Sequence, residues 1–189
     1  MNLIASRDVA LVLVDYQQRL MPAIHGGAQA VTQAVCLADI AKVMGIPVIG
    51  TEQNPRGLGP NEPALRERCE ITLAKMHFDA CADGLLDVLR TLRESPMREV
   101  VIAGCEAHVC LMQTALGLLH AGLEVWVVAP ACGSRSPQNH ELAMQRLRHA
   151  GAGIVSLEMV AFEWLRGCEH ERFKGVLKLL KEQPVPHSA

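Results

Sequence analysis

The sequence predicts an α/β fold: a three-layer α/β/α sandwich with a six-stranded parallel sheet at its centre. Two observations predict it. Short apolar runs rich in Val and Ile alternate with longer mixed stretches along the chain, the pattern of helices packed on a parallel sheet. Most of these runs also lack a polar residue at every second position, as strands covered on both faces do.

Strand signals fall at about 9–14, 46–50, 70–75, 99–103, 123–129 and 153–157. Helix signals fall at about 28–44, 63–68, 83–93, 109–121, 137–150, 158–166 and 169–182. Gly45, Gly122 and Gly151 follow helices and suit their C-terminal caps. Asp83 and Ser136 suit N-caps, and Pro137 suits the first helical position, where its missing N–H costs nothing. Right-handed crossovers place helices on both faces, which makes the winding Rossmann-like. The stretch from Thr51 to Pro63, with three Pro and two Gly, reads as a long irregular connection. It forms either one wall of a pocket or a plain connector. Residues 1–189 read as a single domain, with 182–189 a flexible tail.

The length of 189 residues suits one full-sized core. A net charge of −2 and a pI near 6.4 provide no basic field for nucleic acid. The six aromatic residues are too few for a base-stacking platform. The longest apolar runs fall far short of the roughly 20 residues that span a bilayer, so no membrane association is expected. The N-terminus carries neither a basic n-region nor a long apolar h-region. The seven Cys are odd in number and no pair has C-x-x-C spacing. This argues against a disulfide framework and for a reducing, cytoplasmic setting. His108-Val109-Cys110 has no second ligand pair at metal-site spacing, so no metal is expected.

Cys110 carries the chemical argument. It lies in the run from Gly104 to Ala115, between the fourth apolar run and the helix that follows. At a helix N-terminus the orphan N–H groups favour thiolate over thiol, and a thiolate is a nucleophile. The plainer reading is an inert packing thiol. Asp15 ends the first apolar run and Lys75 the third. Acid, amine and thiol thus share the carboxyl ends of strands, the edge that holds ligands in open α/β sheets; otherwise Asp15 and Lys75 are solvated loop residues. Asp15 is placed to accept the thiol proton, and Lys75 to hold Asp15 and favour the thiolate. The strand-to-helix turn offers the N–H of Cys110, and of a residue shortly before it, to an oxyanion. Gln17 and Gln53 either orient a polar substrate or bond the backbone. His77, His140 and His149 read as surface or helix-face residues, and His108 either as structural or as tuning the thiol. Arg135 reads either as an ion-pair partner or as an anion site near a helix start. Trp164, Phe162 and Leu165 read as core or subunit contact.

Three motifs, Val14-Asp15-Tyr16-Gln17, Lys75-Met76-His77-Phe78 and the run from Gly104 to Ala115, give the chain a family resemblance. It resembles the isochorismatase-like cysteine hydrolases, from about Asp8 to about Pro184. The stretches Thr51–Gly59 and Ala131–Ser136 are similar to the branch of isochorismatase domain-containing proteins of undefined substrate. The resemblance implies a catalytic triad of Asp15, Lys75 and Cys110. It implies an oxyanion hole at Glu106 and Cys110, and a cis peptide bond between Cys105 and Glu106. It implies cleavage of a C–N or ester bond of a small molecule through a thioester on Cys110, without a cofactor, in a homo-oligomer (a dimer or larger).

Two departures qualify it. Glu106 stands where amidases of the group carry a small residue. Glu52-Gln53-Asn54 stands where the nicotinamidases carry Asp-x-His, which removes that metal site. Two other readings stay open: a non-catalytic binding or scaffold protein that keeps the fold, and a redox sensor built on Cys110 with Cys105.

Overall fold

The computed structural model describes residues 3–183. Six strands form one all-parallel sheet: β1 (Val9–Val14), β2 (Val48–Gln53), β3 (Ile71–Lys75), β4 (Glu99–Gly104), β5 (Glu124–Val128) and β6 (Gly153–Val155). Their order is β3-β2-β1-β4-β5-β6. From β1 the chain winds outward to β3, then returns to β4 and winds the other way. With right-handed crossovers, opposite directions of winding put the connecting helices on opposite faces. The helix α1 (Gly27–Met44) packs with α7 (Leu157–Leu165) and α8 (Phe173–Lys181), and α5 (Met112–His120) packs with α6 (Pro137–His149). This is the three-layer sandwich that the sequence predicts.

All six residues of β1 are buried, and β4 is buried from Val100 to Gly104. These two strands sit at the centre and need apolar side chains on both faces, which is why no alternation was visible. The strand β3 lies at the sheet edge and is partly exposed along most of its length. Gly104 is required where β4 meets β1: a Cβ there would fall inside the contact radii of the Val14 carbonyl oxygen and Cβ.

The expected strands and helices are all present, with four differences in detail. First, β2 runs on to Gln53, so Thr51, Glu52 and Gln53 are strand residues, not loop. Behind them the short helices α2 (Pro55–Leu58) and α3 (Pro63–Arg66) fill the stretch expected to be irregular. Second, Asp83 is not an N-cap. Gly84, with φ 98°, starts α4 (Leu85–Thr91), while the Asp83 carboxylate accepts from the N–H groups of Met76 and His77 at 2.8 Å each. Third, the helix expected at 109–121 begins with a π-helical turn, Ala107–Leu111, before α5. Fourth, the last helix starts at Phe173. Gly45 caps α1 at φ 72°, and Ser136 with Pro137 opens α6. Most of the tail expected at 182–189 lies outside the described residues, which end at 183.

Candidate active site at the carboxyl edge of the sheet

Strand register assembles the site. Val14 at the end of β1 pairs with Thr51 of β2 on one side and Gly104 of β4 on the other, and Gln53 pairs with Lys75 of β3. The residues just past these ends therefore converge, although 95 positions separate Asp15 from Cys110 in sequence. The buried polar and charged side chains concentrate here: Asp15, Gln17, Thr51, Gln53, Lys75 and Glu106 are each less than a tenth exposed.

Asp15 leaves β1 in the left-handed region, at φ 53°. Few residues other than Gly tolerate that conformation, and Asp is one that does. Its Oδ1 accepts a hydrogen bond from Thr51 Oγ1 at 2.6 Å. Its Oδ2 lies 2.7 Å from Lys75 Nζ, with both side chains wholly buried. A carboxylate oxygen has two lone pairs, so Oδ2 can meet Lys75 and still accept another proton. Lys75 Nζ donates to Gln53 Oε1 at 2.7 Å and to the carbonyls of His77 and Phe78 at 3.3 Å. A buried ion pair contributes little net stability, because desolvation offsets most of the attraction. Its presence therefore calls for another explanation.

Cys110 lies on the π-helical turn and is 6% exposed. Its Sγ is 4.0 Å from Gln53 Oε1 and close enough to both Asp15 and Lys75 for their side chains to act on it directly. Burial pushes the thiol up to about 12, and the negative charge of Asp15 adds to that, while Lys75 works against it. Burial thus works against the thiolate that a helix terminus would favour.

The peptide bond between Cys105 and Glu106 is cis. The Ala107 N–H is taken by the Gly133 carbonyl at 2.7 Å, and those of Val109 and Leu111 by the Glu106 carbonyl. The N–H groups of Glu106 and Cys110 bond to nothing outside the turn, among the described residues. The Glu106 side chain turns away from the thiol: its carboxylate takes Arg135 Nη2 at 2.7 Å and Nε at 2.9 Å. Arg135 is thus an ion-pair partner, and it holds the Glu106 carboxyl below its ordinary range. His108 Nδ1 lies 3.0 Å from Ser134 Oγ.

The two glutamines are tied down. Gln17 Nε2 donates to the carbonyls of Gln53 and Gly59, and its Oε1 accepts from the Gln53 N–H. Gln53 Nε2 donates to the Met76 carbonyl at 2.8 Å, and its Oε1 faces Lys75 and Cys110. Gln17 therefore bonds the backbone, whereas Gln53 borders the thiol. Cys105 is fully buried at the end of β4, and burial and nearby Cys132 push its thiol far up. Sequence reasoning missed Thr51, which looked like the start of a loop; the signal was its register opposite Val14, invisible without the sheet. Among the described residues, no group of three or more His, Cys, Asp or Glu side chains is placed to hold a metal ion, and no helix is long and apolar enough to cross a membrane.

Residues 9–159 match the model of the isochorismatase domain. The chain is 34% identical to isochorismatase domain-containing protein 2A of Mus musculus over 180 residues, which cover 94% of this chain and 84% of that one. Among solved structures, the MAR1 ribonuclease of Caenorhabditis elegans superposes with a TM-score of 0.88 at 34% identity, covering 98% of each chain. The YcaC gene product of Escherichia coli, described as an octameric hydrolase of unknown specificity, superposes with a TM-score of 0.84 at 26% identity, covering 94% of this chain and 88% of that one. The sheet order, the match over most of the chain and the similarity to these relatives place this chain in the isochorismatase-like hydrolase family.

Proposed function

We propose that the chain is a cysteine hydrolase that cleaves a C–N or ester bond of a small molecule. The observation that supports this reading best is the wholly buried Asp15–Lys75 pair against the Cys110 thiol. In this reading the thiol proton passes to Asp15 Oδ2 as Sγ attacks the substrate carbonyl carbon. The carbonyl electron pair moves to oxygen, and the oxyanion takes the N–H groups of Glu106 and Cys110, each worth about 3–4 kcal/mol in such sites. Collapse expels the amine or alcohol, which leaves with the proton held on Asp15. Water then gives a proton to Asp15 and attacks the thioester, and the thiol reclaims that proton as the acid departs. Lys75 keeps Asp15 aimed at the thiol throughout. No step calls for a cofactor.

The same reading places the protein in the cytoplasm, since seven unpaired thiols suit a reducing compartment. It also takes the protein to be a homo-oligomer, as the octameric bacterial relative is. RNA cleavage, suggested by the name of the nematode relative, is the second reading; a net charge of −2 disfavours it.

A panel of amides, ureides, esters and a labelled RNA, run with wild type and Cys110→Ser, tests the proposal. The expected result is turnover of one small-molecule class, lost in the variant, with an acyl adduct on Cys110 seen by mass spectrometry. Turnover that survives in Cys110→Ser would overturn the mechanism. Small-molecule binding by thermal shift, with no product from any substrate, would favour a binding protein that retains the fold.

A further inference from the structure

The connection between β5 and α6 touches the nucleophile turn at several points. The Gly133 carbonyl takes the Ala107 N–H at 2.7 Å, and the Gly133 N–H donates to the Gly104 carbonyl at 3.1 Å. Ser134 Oγ meets His108 Nδ1 at 3.0 Å. The strongest contact is charged. Arg135 gives Glu106 a two-pronged pair through Nε and Nη2, and its backbone N–H adds a third bond to Oε2 at 3.2 Å. Glu106 is the residue whose own carbonyl takes the N–H groups of Val109 and Leu111, the two neighbours of Cys110. A planar guanidinium fork fixes a carboxylate in both distance and plane, which a single hydrogen bond does not.

We propose that Arg135 is a positioning residue: through the buried Glu106 carboxylate it pins the turn that holds Cys110 buried against Asp15 and Lys75. The proposal rests on the cysteine-hydrolase reading for its use, but not for its test. Arg135 has no place in the chemistry itself; its side chain is 64% exposed, while that of Glu106 is 8% exposed. Without the Arg135 guanidinium the Glu106 carboxylate would keep only the backbone N–H bond and lose its counter-charge. Such a group is relieved only by protonation or by movement into water. Movement carries the Glu106 backbone, and with it the anchor of Val109 and Leu111. The charged or titratable groups facing this carboxylate are Arg135 from the β5–α6 connection, His108 on the same turn and Cys105 at the end of β4.

The test compares wild type, Arg135→Gln, Arg135→Lys and the double variant Glu106→Gln with Arg135→Gln. Two probes are read: the alkylation rate of Cys110 by iodoacetamide, with peptide mapping, and amide hydrogen exchange in the peptide spanning 106–112. Arg135→Gln should alkylate about tenfold faster at neutral pH, as roughly one pK unit of the burial shift is released, and exchange in 106–112 should accelerate. The double variant should return most of the way to wild type, because it removes the unpaired charge. Lowering the pH should have the same effect on Arg135→Gln by protonating Glu106. Arg135→Lys keeps the charge, loses the fork and falls between; it supplies the measurement if Arg135→Gln does not fold. Unchanged alkylation and exchange in Arg135→Gln, or no recovery in the double variant, would overturn the proposal. Neither probe depends on turnover. Failure of the hydrolase reading shows instead as activity that survives in Cys110→Ser.

Discussion

Lys75 Nζ and Asp15 Oδ2 lie 2.7 Å apart with no exposed side-chain surface on either, at the ends of strands separated by β2. Their opposite charges act on one thiol in opposite directions: Asp15 raises Cys110 and Lys75 lowers it. Asp15→Asn should therefore lower the thiol's pKa and speed its alkylation, while Lys75→Met should raise it and slow alkylation. Each change should be about tenfold per pK unit shifted. Both substitutions should abolish turnover, the first by removing the base and the second by releasing it. The check is the pH profile of iodoacetamide labelling from pH 6 to 10, and changes of the same sign in both variants would contradict it.

Thr51 holds the other oxygen of that carboxylate. Thr51→Val keeps the shape and removes the hydroxyl, leaving Asp15 Oδ1 buried without its 2.6 Å donor. The expected cost is about 1–3 kcal/mol of folding stability, the usual penalty for an orphaned buried polar atom. Thr51→Ser should keep most of the stability and the activity. Urea denaturation of the two variants, beside their turnover, separates the hydroxyl from the methyl group.

Gln17 makes three buried hydrogen bonds to main chain, two of them to Gln53. Gln17→Leu should destabilise the fold by roughly 2–4 kcal/mol, since several buried groups lose their partners at once. If the side chain served substrate instead, the variant would unfold at the same denaturant concentration as wild type and show only a raised KM. Chemical denaturation followed by tryptophan fluorescence decides between the two, with Trp164 in the core as reporter.

Several parts of this molecule were legible in one dimension because they depend on local physics. Val9–Val14 reads as a central strand because a strand covered on both faces has no reason to alternate. Gly45 ends α1 because its left-handed cap excludes most side chains. Asp15, Lys75 and Cys110 could be placed at strand ends by counting apolar runs, and the motifs then gave the family.

Tertiary structure decided the rest, because it turns on neighbours distant in sequence. The charge state of Cys110 is a contest of desolvation and Asp15 against Lys75 and the helix terminus, and burial depth is no property of the local sequence. The Glu106 carboxylate is held by Arg135, 29 residues on, a pairing that only the folded chain brings together. Asp83 resembled an N-cap, yet the Met76 and His77 amides claimed it once the chain had turned after β3. The sequence by itself determined that Asp15, Lys75 and Cys110 gather at the carboxyl edge of the sheet. Only the packed structure set their distances, their partners and their charge, because electrostatics in a low-dielectric interior depends on a few ångströms that no sequence spacing encodes.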